Sequence, residues 1–179
     1  MKEKTKRLRE LQEQKQRRVH LESLRAELTK QQRELSEAVD AGQRALCSAE
    51  DLIRLLNDAD GLATWDLLGG GLLADMAKYD ALDRAQGEIE HLQRTLRRFH
   101  TELTDVSINA NINVNVDSFT RTADYIFDGL FMDWSVSSRI DEAKSQVQQA
   151  LSGIESALTQ LERQQAAADN AIREARHAI

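Results

Sequence analysis

The sequence predicts an all-α protein: an elongated antiparallel helical bundle, with a four-helix head continuing into a coiled-coil stalk. Three observations predict it. The 179 residues include no proline, the residue that most reliably stops a helix. Charged residues make up 30% and aromatics 4%, a balance that suits long packed helices better than a thick globular core. Apolar residues also recur at alternating steps of three and four, which draws one stripe along a helix and makes it follow a partner.

The elements follow in chain order. Residues 1–18 form a basic helix start. Residues 19–57 form a first coiled-coil helix whose seam runs Leu21, Leu24, Leu28, Leu35, Ala38, Gly42, Ala45, Ala49, Leu52, Leu56. The cluster Asn57-Asp58-Ala59-Asp60-Gly61 favours a turn and a left-handed cap, and Gly69-Gly70-Gly71 disfavours helix at about 1 kcal/mol per glycine. Residues 58–71 therefore read as a turn. A second helix over 72–105 carries Leu82, Ala85, Ile89, Leu92, Leu96, Phe99 and Leu103 in register. The apolar/Asn alternation that follows predicts an extended strap over 106–117. Ser118 is a good N-cap for a short aromatic-rich helix and turn over 118–134. The last helix, 135–179, has the seam Ile140, Ala143, Val147, Ala150, Ile154, Ala157, Leu161, Ala168, and Ser135 or Ser137 can start it. An echo at an offset of 58 pairs Gly71-Leu72-Leu73-Ala74-Asp75 with Gly129-Leu130-Phe131-Met132-Asp133 and predicts two related hairpins.

Antiparallel pairing of the first and last helices places Leu21, Leu24 and Leu28 beside the alanine-rich stretch Ala166–Ala178. The basic start then projects past the end of its partner. Whether the seams close within one chain or between two is open at this point.

Composition excludes several classes. Cys47 is the one cysteine, so neither a disulfide framework nor a cysteine zinc site is expected. No apolar stretch follows the Met-Lys-Glu-Lys-Thr-Lys-Arg start and no run of 18 apolar residues exists. Neither a signal peptide nor a membrane span is expected, and a cytoplasmic location is the default.

Two groups of residues are candidates for partner binding. Residues 2–18 hold Lys4, Lys6, Arg7, Arg9, Arg17 and Arg18, together with Lys2 and Lys15, against Glu3, Glu10 and Glu13. Positive charge at a helix N-terminus opposes the helix dipole, so the segment is poorly placed for its own helix. It is either a solvated helix end or a docking end for an acidic protein, a nucleic acid or an anionic surface. A net charge of −6 and the lack of stacking aromatics in this segment argue against dedicated nucleic-acid binding. The second group is aromatic: Tyr125, Phe127, Phe131 and Trp134, with Phe119 close by. These form either the core of the head, with Trp65, Met76 and Tyr79, or a partner hot spot.

The motifs that would imply chemistry fail on spacing. Gly69-Gly70-Gly71 is followed by Leu72-Leu73 where a phosphate loop needs Lys-Ser/Thr. An EF-hand frame around Asp58-Ala59-Asp60-Gly61 puts Leu56 and Leu67 at ligand positions. The Glu-x-x-His pairs Glu88/His91 and Glu174/His177 fit a di-iron bundle in spacing. In the antiparallel arrangement they lie far apart and flank their seams. No catalytic residue, metal or cofactor is expected.

Trp-Asp-Leu-Leu-Gly-Gly-Gly (65–71) and Phe-Asp-Gly-Leu-Phe-Met-Asp-Trp-Ser-Val (127–136) resemble segments of a set of uncharacterised bacterial coiled-coil proteins. The resemblance spans about residues 50–145 and implies helical coiled-coil architecture and a bacterial source, with no activity or ligand attached. The expectation is a non-enzymatic scaffold that binds another protein or itself. The alternative is nucleic-acid or anionic-surface binding through the basic end.

Overall fold

The computed structural model describes residues 2–67, 71–109, 119–120 and 138–177, and it is all-helical over them. Three long helices account for nearly all of it: α1 (Lys2–Leu67), α2 (Gly71–Asn109) and α3 (Ser138–His177). The described residues include no strand.

Helix α1 runs through residues 58–67 of the predicted 58–71 turn, and α2 already opens on its last residue, Gly71. One glycine, Gly61, costs about 1 kcal/mol in a helix, and Asn and Asp cost less. With no proline to remove a hydrogen bond, the cluster cannot end a helix already extended on one side. At 66 residues α1 is about 100 Å long at 1.5 Å per residue. Helix α2 likewise outlasts its predicted end at 105. Val106 continues the buried row of Phe99 and Leu103, so residues 106–109 are helical where an extended strap was expected. The threonines inside the helices close on themselves: Thr29, Thr101, Thr104 and Thr159 each donate to the carbonyl four residues back at 2.8–3.1 Å.

Helices α2 and α3 both pack antiparallel on α1. Gly42 faces Phe99, and farther along α1 the residues Asp51 and Arg54 share a surface hollow with Arg84 and Glu88. Toward the other side, Gln32 Nε2 donates to Asp169 Oδ1 at 2.6 Å and Gly42 meets Leu158. Among the described residues α2 and α3 have no Cα atoms within 8 Å of each other. They meet through side chains over α1, which serves as the common spine.

The buried pattern of α1 shows how one helix accepts two partners. Its seam residues Leu35, Ala38, Ala45, Ala49, Leu52 and Leu56 are fully buried. A row at seven-residue steps on one side of the seam, Glu34, Ala41, Ser48 and Leu55, is buried or half-buried and turns toward α2. The opposite row, Gln32, Val39, Leu46 and Ile53, turns toward α3. Small residues fill the centre. A Cβ built on Gly42 would lie 2.7 Å from Leu158 Cδ2 and 2.8 Å from Phe99 Cε2, so only glycine fits where the three helices converge. Phe99 in turn meets the ring of Phe119 edge-on, with centroids 4.8 Å apart at 69°. His100 Nε2 and Thr120 Oγ1 are hydrogen-bonded at 2.9 Å, which ties residues 119–120 to α2.

Buried polar groups are few. The Glu34 carboxylate accepts a hydrogen bond from Arg33 Nη2 at 2.9 Å. That bond, with the charges of Glu34 and Glu37, holds the Arg33 guanidinium above its ordinary pKa. Ser48 Oγ and Gln93 Nε2 are buried with no hydrogen-bond partner among the described residues. The Gly42–Phe99 and Asp51–Glu88 neighbours bracket both, so they lie at about the same level of the α1–α2 contact. An unsatisfied buried donor costs roughly 1–3 kcal/mol. Gln93→Leu is therefore expected to raise stability by about 1–2 kcal/mol in urea melts, and a lowered midpoint would contradict the burial.

Candidate interaction surface

The most distinctive surface is the first part of α1, which neither α2 nor α3 reaches. Helix α3 ends at His177, and its pairing through Gln32–Asp169 brings its last residues level with α1 near Leu24 and Leu28. Ile172 and Ala168 are buried there and Leu28 is half-buried. Leu24, predicted to be in the same seam, stays 41% exposed because it sits where α3 is about to end and α2 has already stopped. From Glu3 to His20 every described side chain is exposed.

The sequence explains why the seam stops closing. Stepping it back below Leu21 puts Arg17, Gln14, Glu10 and Arg7 at the positions that would have to be buried. No helix can pack on such a row without burying charge. A separate apolar stripe takes its place. Leu8, Leu11 and Val19 are 60%, 58% and 58% exposed, and with the Lys15 stem they lie about a third of a turn round from the seam. The cations ring this stripe. Lys4, Lys6, Arg7, Arg9, Arg17 and Arg18, the predicted partner-binding residues, are all exposed, and Lys6 reaches Glu10 at 4.0 Å in an exposed i,i+4 pair. Lys15, Gln16, Val19, His20 and Ser23 line a shallow open hollow beside them.

At the far end of α1 the balance reverses. Residues 50–90 hold ten acidic side chains against three basic. Glu50, Asp51, Asp58, Asp83 and Glu90 are exposed there. Arg54 offsets part of this charge, at 3.0 Å from Asp51 and 3.7 Å from Glu50. The opposite poles escape a reading of whole-chain net charge, which averages them; counting charge segment by segment finds them.

The remaining candidates are dispersed. Glu88 lines the Asp51–Arg54–Arg84 hollow on α2, His91 is exposed, and Glu174 is exposed near the other end of the bundle. The two Glu-x-x-His pairs are not brought together, and no group of three metal-ligating side chains occurs among the described residues. Tyr125, Phe127, Phe131 and Trp134 lie outside the described residues, as do Gly129 of the internal echo and the 127–136 segment. The side chains of Trp65, Met76 and Tyr79 also lie outside them. Among the described residues no helix is long and apolar enough to cross a membrane. Compared with known proteins, the chain matches no family model, no curated protein and no solved structure.

Proposed function

We propose that this protein is a non-enzymatic helical scaffold of the cytoplasm that binds other proteins through helix surfaces left open by its own fold. The observation that carries this reading is the stretch from Glu3 to His20, exposed at every described side chain, cationic, and marked by an apolar stripe. A surface helix with no tertiary partner and three exposed branched apolar side chains is a surface in want of a partner. In this reading residues 30–60 of α1, with α2, α3 and the segment entered by Phe119, make a four-helix head. The part of α1 before them forms the stalk, with residues 21–28 paired to the end of α3 as a coiled coil and the basic start projecting beyond it. Phe119, 3% exposed and set edge-on against Phe99, supports the fourth layer.

Two measurements test the proposal. Small-angle scattering at high salt should give a particle with a maximum dimension on the order of 100 Å, as a 66-residue helix requires. A compact sphere would refute it. Deleting residues 2–20 should leave the unfolding free energy in urea melts within about 0.5 kcal/mol of the parent, since no described side chain from Glu3 to His20 is buried. The same deletion should abolish partner capture from the native host, and undiminished capture would remove the stalk from the mechanism.

A further inference from the structure

The two poles of α1 carry opposite charge, and their separation has a physical consequence. Residues 2–20 hold eight basic side chains against three acidic, and residues 50–90 hold ten acidic against three basic. From Arg9 to Asp58 is about 70 Å along the helix at 1.5 Å per residue. The Debye length is only about 8 Å at physiological salt, so the poles of one chain cannot neutralise each other. Because α2 returns antiparallel along α1, Asp83 and Glu90 join Glu50, Asp51 and Asp58 at the same end instead of spreading the charge along the rod.

We propose that the occupant of the stalk is a second copy of this chain: the basic start of one α1 docks on the acidic α1–α2 end of the next. This deepens the scaffold reading and rests on it. Pairing two stalks with each other would set eight cations against eight, which Coulomb repulsion disfavours. Pairing unlike ends satisfies both. Leu8, Leu11 and Val19 make the contact more than ionic, since an apolar stripe has no use against phosphate, and the stalk has no aromatic on which a base could stack. Docked in line, rod after rod, a contact between unlike ends leaves one free end of each kind, so the chains stay open instead of closing at two.

The test is light scattering of the full chain across protein concentration and salt. In about 20 mM salt the average mass should climb with concentration past twice the 20.2 kDa of one chain, and about 500 mM salt should reverse the growth. The variant Lys4→Glu/Arg7→Glu/Arg9→Glu and the variant Asp58→Lys/Asp83→Lys/Glu90→Lys should each fail to grow alone. Mixed together, they should reach the mass of two chains and, unlike the parent, no further, because the intact acidic end of the first accepts the intact basic start of the second while the two substituted ends no longer attract. Leu11→Ser/Val19→Ser, which leaves charge unchanged, should lower the mass reached at a given concentration. All these positions are exposed, and unchanged circular dichroism melts will separate lost association from lost folding. No growth of the parent at low salt, parent growth that stops at two chains, or growth indifferent to the stalk variant would overturn the inference. So would a stalk that binds duplex DNA or anionic vesicles while the protein stays a single chain. If scattering at 500 mM salt shows a compact particle, the scaffold reading itself fails. If the particle is elongated and never grows, only the end-to-end contact fails.

Discussion

Phe99→Ala is expected to destabilise the protein by about 3–5 kcal/mol, the range for emptying a fully buried aromatic site. Phe99 is fully buried, stands against Gly42 of α1, and receives the Phe119 ring edge-on. Truncation removes the apolar area of one ring, leaves a cavity at the convergence of three helices, and deprives Phe119 of its aromatic partner. Residues 119–120 should then loosen from α2, since Phe119 loses the ring it packs against while the His100–Thr120 hydrogen bond stays. Urea melts monitored by circular dichroism will measure the loss. A change below about 1 kcal/mol would show that the ring is not packed as described.

Gly42→Leu attacks the same point from the opposite side and should cost more than about 3 kcal/mol. Even the first added carbon would fall 2.7 Å from Leu158 Cδ2 and within 2.9 Å of the Phe99 ring, and leucine adds three more. The Leu158 tip can rotate away, whereas the Phe99 ring is held by Phe119. The helices must therefore part. Gly42→Ala provides the calibration. Its clash, roughly 1–3 kcal/mol, is partly offset by the gain of about 1 kcal/mol from replacing glycine inside a helix. A leucine variant as stable as the parent would mean that α2 or α3 does not seat on Gly42.

The seams were legible because period is a strong signal. Leu35, Ala38, Ala45, Ala49, Leu52 and Leu56 were assigned to one stripe and are buried together, as are Ile89, Leu92, Leu96 and Leu103 on α2. The flanking rows were not, because Glu34, Ala41 and Ser48 are small or polar and read as solvated. Only a second helix on each side of the seam makes them interior. The end of α1 was misplaced for an energetic reason. Asn57, Asp58 and Gly61 each carry a small penalty, and a sequence reading sums turn signals without weighing them against the hydrogen bonds that continuation preserves. Leu24 was placed inside the seam because periodicity says which side of a helix is apolar, while coverage depends on where the neighbour stops.

The stalk was half legible. Its charge is plain in residues 2–18, and the antiparallel register already made it overhang. The stripe of Leu8, Leu11 and Val19 was missed because it lies off the seam, so a search tuned to the seam's register skips it. The acidic counterpart was missed because a single net charge hides its position.

The spine arrangement makes the three helices unequal before mutation. A substitution on the inner side of α1 disturbs two neighbours at once, whereas one on α2 or α3 disturbs α1 and leaves the other helix's backbone with nothing to respond to. Saturation mutagenesis should therefore find α1 between Leu35 and Leu56 the least forgiving stretch of the chain. Variation should be tolerated most readily on the outward sides of α2 and α3, and changes placed one on each should combine additively.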